Sequence, residues 1–137
     1  MQDLSLQAPP GFDPGRPLVV VAEDDEDILT LVSFRLERSG YRVAAARNGA
    51  EAVELVRELR PAVVVLDIAM PVMTGLDAAR LLRADPASAD LPIILLTARA
   101  SEEDVAAGLA AGANAYVTKP FSPQDLATRV DAVLGRD

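Results

Sequence analysis

An open parallel α/β fold is the class this sequence predicts, and three observations predict it. Five short apolar runs, Leu18 to Ala22, Arg42 to Ala46, Ala62 to Leu66, Ile93 to Leu96 and Ala115 to Val117, alternate with stretches of helical periodicity. The third run is rich in valine and lies between Pro61 and the Pro/Gly loop Ile68 to Gly75, the pattern of a strand buried on both faces. Strands that alternate with helices need crossovers, which cover both faces of one parallel sheet in a (βα)5 arrangement.

Residues 1 to 17 contain Pro9-Pro10-Gly11, Pro14-Gly15 and Pro17 and read as a flexible leader, so the folded domain is expected to span 18 to 137. The first helix is expected from Asp27 to Ser39, with Ile28, Leu29, Val32 and Leu36 at helical spacing and Gly40 ending it. Asn48 caps the second, whose stripe is Ala52, Val53, Val56 and Leu59 and whose stop is Pro61. Thr74-Gly75 opens the third, with Leu76, Ala79 and Leu82 inward. Ser101 to Asp104 opens the fourth with acids in its first turn, and Gly108 and Gly112 are expected to weaken it. Ser122-Pro123 starts the fifth, with Leu126, Val130 and Val133 toward the sheet.

The chain has 137 residues, 50% hydrophobic and 25% charged, enough for one domain with its own core. Lacking cysteine and histidine, it offers no disulfide or thiolate and disfavours a zinc site; the composition fits a reducing cytoplasm, the expected location. No apolar run approaches the roughly 20 residues of a membrane-spanning helix, and Met1 to Leu6 carries Asp3 without a positive side chain, so neither a membrane partner nor a secretory signal is expected. A net charge of −8 argues against direct nucleic-acid binding. Lys119 is the sole lysine among thirteen basic side chains.

In parallel α/β sheets the residues just after the strands share one edge, where ligands bind. Glu23, Asp24 and Asp25 follow the first run, Asp67 the third, Thr97 ends the fourth and Lys119 follows the fifth. Clustered carboxylates repel unless a cation neutralises them, and an all-oxygen set favours Mg²⁺, with Mn²⁺ the alternative. An aspartate there can act as a nucleophile toward phosphorus, with the cation, a hydroxyl and an ammonium each taking one phosphoryl oxygen. Glu26 and Asp27 read instead as ordinary helix-start acids.

Val19-Val20-Val21-Ala22-Glu23-Asp24-Asp25, Val65 through Gly75, Ile94-Leu95-Leu96-Thr97-Ala98 and Gly112 through Phe121 closely resemble the receiver domains of two-component response regulators, over about residues 18 to 135. The resemblance implies a flavodoxin-like doubly wound fold with a five-stranded sheet of order 2-1-3-4-5. It also implies that Asp67 is the phosphoacceptor for a sensor histidine kinase, a histidine phosphotransfer protein or a small acyl phosphate. Asp24 would be the principal Mg²⁺ carboxylate beside Glu23 and Asp67, with Asp25 a lesser candidate and the backbone carbonyl of Ala69 a further ligand. Lys119 would precede a cis peptide to Pro120. Thr97 and Tyr116 would form the switch pair, acting on the face of the fourth helix, fifth strand and fifth helix. Ala69 and Arg99 occupy positions that tune phosphoryl lifetime.

Output is expected through a partner protein or through an effector domain outside this chain. Asn114-Ala115 stands where many members that dimerise through the switch face carry paired acids, although Arg129 matches a basic position there, so any homodimer is expected to be weak or phosphorylation-dependent. Three other readings compete. A phosphorylation-independent binding module is disfavoured by the intact acid, hydroxyl and lysine set. A phosphohydrolase using Asp67 is disfavoured by Ala69, where such enzymes place a second acid. A flavin-binding fold is disfavoured because no Ser/Thr/Gly-rich phosphate loop follows the first strand.

Overall fold

The computed structural model describes residues 15–98 and 101–136; the first fourteen residues of the expected leader and Arg99 lie outside them. Its five strands are β1 (Leu18–Ala22), β2 (Arg42–Ala46), β3 (Val63–Asp67), β4 (Ile93–Thr97) and β5 (Ala115–Thr118). They form one parallel sheet of order β2-β1-β3-β4-β5. The three central strands are buried at every position, whereas β2 and β5 at the edges expose part of theirs. Pleating sends alternate residues to opposite faces. Val19, Val21, Val63, Val65, Ile94 and Leu96 meet α1 (Glu26–Arg38) and α5 (Pro123–Val133) through Leu29, Val32, Leu36, Leu126 and Val130. Val20, Ala22, Val64, Leu66, Ile93 and Leu95 meet α2 (Gly49–Leu59) and α3 (Gly75–Ala84) through Ala52, Val53, Val56, Ala78, Ala79 and Leu82.

Helix starts follow local capping chemistry. Asn48, Thr74, Ser101 and Ser122 each accept an N–H of the first turn, as the sequence suggests. α1 begins one residue earlier than expected because Asp25 is its cap, accepting the N–H groups of Asp27 at 2.9 Å and Ile28 at 3.2 Å. Glu26 and Asp27 then lie in the first turn as helix-start acids. α4 (Glu102–Ala110) contains Gly108, but Gly112 stands beyond the cap Ala111 with φ +101°, so it shapes the turn rather than weakening the helix. Leu76 is half-buried rather than inward. Arg16 and Pro17 already bond to the sheet, through the carbonyl of Tyr41 and the N–H of Arg42.

A 3-10 turn, Pro86–Ser88, follows α3 and was not expected. It is held by Arg83, whose Nε donates to the Gly112 carbonyl at 3.0 Å and whose Nη1 donates to those of Ser88, Ala89 and Leu91 at 3.3, 3.1 and 2.6 Å. Its Nη2 donates to Asn114 Oδ1 at 2.8 Å, an atom that also accepts the Ile93 N–H at 2.9 Å. Asn114, although exposed, therefore ties the α4–β5 turn to α3 and to the start of β4. A Cβ on Gly112 would lie 2.6 Å from Arg83 Cγ, so this turn accepts only glycine. Arg83→Met leaves the clustered carbonyls without their donor, and we expect a loss of about 2–3 kcal/mol in urea unfolding at unchanged m-value. A loss below about 0.5 kcal/mol, within the range of ordinary surface substitutions, would show the clamp to be idle.

Candidate functional site

Strand register assembles the site. Ala22 pairs with Leu66, so one residue further on Glu23 and Asp67 stand side by side. Asp67 pairs with Leu96, which sets Thr97 just beyond it, and Thr97 pairs with Thr118, the residue before Lys119. This is the C-terminal edge of the sheet at the change of direction between β1 and β3, where the helices that follow them, α1 and α3, leave to opposite faces.

Lys119 closes the arrangement. Its Nζ donates to Glu23 Oε1 at 2.8 Å and to Asp67 Oδ2 at 3.0 Å. The Glu23 and Asp67 side chains are 1% and 4% exposed, so these are interior charges, while Lys119 at 22% still reaches solvent. Burial pushes the Glu23 carboxyl up to about 8; neighbouring Asp67 adds to the shift and Lys119 opposes it. Burial would lower the Lys119 ammonium, but its hydrogen bonds and attraction to the two acids outweigh that and hold it above its ordinary value. The Lys119–Pro120 peptide is cis.

Oxygens of Glu23, Asp24 and Asp67 lie within 4.8 Å of one another. Asp24 is exposed, whereas Glu23 Oε2 is buried and has no hydrogen-bond partner. A buried carboxylate with one unpartnered oxygen, grouped with two further carboxylates, suits a hard divalent cation. Asp25 is occupied elsewhere, as the α1 cap.

Of the remaining expected residues, Thr97 is buried and its carbonyl accepts the Lys119 N–H at 2.6 Å. Ala69 is exposed, and its N–H donates to Asp67 Oδ1 at 3.4 Å. Tyr116 is half-buried on β5 opposite Leu95, set back from the carboxylates. The structure thus brings Glu23, Asp24, Asp67 and Lys119 into one cluster, with Thr97 and Ala69 on its rim.

Sequence reasoning missed the role of Gly75. A Cβ there would fall 2.3 Å from the Asp67 carbonyl oxygen, so the start of α3 packs directly under the Asp67 backbone. Its N–H donates to the Ile68 carbonyl at 3.1 Å and completes the loop. The Pro71–Thr74 stretch that marks a turn was the available signal, but it gives no distance to Asp67. In the same loop Val72 is 84% exposed with φ +68°, a left-handed conformation that costs a β-branched residue energy.

Comparison with known proteins agrees with this geometry. The sequence profile of the family described as response regulator receiver domain matches residues 19–131. The DNA-binding response regulator MtrA of Mycolicibacterium smegmatis is 41% identical over 126 residues, covering 92% of this chain and 54% of MtrA. The chain therefore spans about half the length of this relative. Among solved structures, the chemotaxis response regulator CheY4 of Vibrio cholerae superimposes with a TM-score of 0.83 at 34% identity, over 87% of this chain and 99% of that one. The receiver domain of a sensor histidine kinase from Pseudomonas aeruginosa, with a magnesium ion coordinated in its active-site cleft, gives 0.81 at 32% identity, over 88% and 98%. The expectation of no nucleic-acid partner finds no support in a relative named as DNA-binding. Among the described residues, no helix is long and apolar enough to cross a membrane.

Proposed function

Because this chain belongs to the response regulator receiver domain family, we propose that Asp67 accepts a phosphoryl group from the phosphohistidine of a sensor kinase or phosphotransfer protein, or from a small acyl phosphate. The chain is a phosphorylatable signalling domain of a two-component system. The observation that carries the Asp67 assignment is the Lys119 ammonium held between buried Glu23 and Asp67, with Asp24 within reach.

In the proposed reaction an Asp67 carboxylate oxygen attacks phosphorus in line with the leaving group. A new O–P bond forms while the donor's P–N or P–O bond breaks, and the donor leaves with its electron pair. Lys119, already in contact with Asp67, meets one phosphoryl oxygen, and the Thr97 hydroxyl meets a second. Glu23, Asp24, Asp67 and the Ala69 carbonyl would hold Mg²⁺, or Mn²⁺. Bound there, the cation supplies neutralisation of the charge on the phosphoryl oxygens. Water attack on the acyl phosphate resets the site, at a rate tuned by Ala69 and Arg99.

Signalling would then be a population shift. Thr97 moves toward the phosphoryl group, Tyr116 turns inward, and the face made by α4, β5 and α5 changes its affinity for a partner protein, an effector domain or, weakly, a second copy. DNA binding, where the whole protein performs it, belongs to sequence outside the receiver, which we assign to residues 18 to 137. This reading places the domain in the cytoplasm. Phosphorylation-independent docking and phosphohydrolase turnover have no observation in their favour.

An apolar groove of about 430 Å³, lined by Ile28, Leu31, Val32, Phe121 and Pro123, opens beside Lys119. Leu31 at its rim is 57% exposed. A histidine-bearing helix seated there would present its phosphoryl group toward Asp67, so we assign this groove to the phosphodonor protein.

Phosphoramidate or acetyl phosphate with Mg²⁺ is expected to add one hydroxylamine-labile phosphoryl group to the wild type and none to Asp67→Asn, read by intact-mass spectrometry. An unchanged wild-type mass with several donors would refute the assignment. Mg²⁺ alone is expected to raise the melting temperature by mass action and to lose this effect in Asp24→Ala; a persisting rise would place the cation elsewhere. Leu31→Glu should slow transfer from the cognate kinase about tenfold, equivalent to ~1.4 kcal/mol, while acetyl phosphate labelling stays unchanged. Equal slowing of both would assign Leu31 to the architecture of the site rather than to docking.

A further inference from the structure

Glycine weakens a helix interior, yet Gly108 lies within α4 and, among the residues of that helix, it alone is buried. A Cβ built on it would lie 3.1 Å from both Cδ2 and Cε2 of Tyr116 and 3.2 Å from Leu95 Cδ1. Those distances are shorter than optimal carbon–carbon separation, so any side chain at 108 must displace the ring, the leucine or the helix. Leu95 and Tyr116 are register partners on β4 and β5, and the bare α-carbon rests over both. On the site side, Asp104 and Ala107 of α4 face a cavity of about 310 Å³ shared with Ile68, Ala69, Leu76 and Thr97. α4 thus meets the sheet at a glycine and leaves open space beside Thr97.

We propose that Gly108 is the positioning residue of the Tyr116 ring: its missing side chain lets the ring change place beneath α4 when Asp67 is phosphorylated, and a methyl group there holds the ring in one place. This rests on the Thr97–Tyr116 switch proposed above. The ring carbons nearest the Gly108 position are edge carbons, the part that sweeps past the helix as the ring turns. Leu95 stands beside the ring as its register partner, so clearance toward α4 comes from the absent Cβ. The cavity beside Thr97 lets the first half of α4 settle as the ring moves, and Gly108 is where the two motions meet.

The chain has two tyrosines, and they separate cleanly. Tyr41 is fully buried in the core on the α1/α5 face with its hydroxyl donating to Asp131, whereas Tyr116 packs on the opposite face. Incorporation of 3-fluorotyrosine therefore gives two ¹⁹F resonances, with Tyr41 as the internal reference. Phosphoramidate with Mg²⁺ is expected to shift the Tyr116 resonance in the wild type and to shift it less than half as far in Gly108→Ala, at phosphoryl occupancy matched by intact mass. A full shift in Gly108→Ala overturns this inference alone; a wild-type resonance that stays put at full occupancy overturns the switch as well. Thermal melts test the contact directly. Gly108→Ala is expected to lower the melting temperature when Tyr116 is present and to lower it less in a Tyr116→Ala background, where the ring contact is gone and the Leu95 contact and helix propensity remain. A rise in both backgrounds overturns the proposal.

Discussion

Lys119 places one ammonium 2.8 Å from Glu23 and 3.0 Å from Asp67, and both carboxylates are almost fully withdrawn from water. Two acids at adjacent strand ends repel in a medium that screens poorly, and burial raises the energy of each charge. A single cation that touches both offsets this, and it can do so only if three strands end in step. The β1/β3 register sets Glu23 against Asp67, and the β4/β5 register delivers Lys119 across from them. Gly75 then lets α3 begin directly beneath the Asp67 carbonyl, so the Asp67 backbone is walled in from below.

That arrangement balances its charge incompletely, and the imbalance is what makes it useful. Glu23 Oε2 has no partner and Asp24 stands exposed beside it, so the cluster retains capacity for a divalent cation. A phosphoryl group on Asp67 would bring further negative charge against an ammonium already in place. Proposed phosphorylation therefore rearranges a prepared electrostatic site rather than building one. Farther out, the α3 end and the α4–β5 turn are tied by Arg83 through Gly112 and Asn114.

Much of this was legible in the residues because the controlling signals are local. Central strands buried on both faces read as unbroken apolar runs, and caps such as Asn48, Thr74 and Ser122 stand directly before their helices. Asp67 and Lys119 stood out as charges at the ends of such runs, and strand order then brought them together. Less legible were features set by distances across the fold. Asp25 looks the same as its acidic neighbours until the α1 amides turn toward it. Arg83 is one of many arginines, and its hydrogen bonds to Ser88, Ala89 and Leu91 form only after a 3-10 turn folds back beneath it. Gly108 read as a weak point in α4, whereas packing makes it the point of contact with Tyr116.

The central claim is that the carboxylate bridged by Lys119 is the one that becomes an acyl phosphate. Borohydride reduction converts an aspartyl phosphate to homoserine, so treating the phosphorylated chain with borohydride and mapping its peptides by mass spectrometry locates the modified carboxyl directly. The account predicts homoserine at position 67 and at no other acid, Glu23 and Asp24 included. Homoserine elsewhere, or unmodified Asp67 in a chain whose intact mass shows phosphoryl addition, would contradict it.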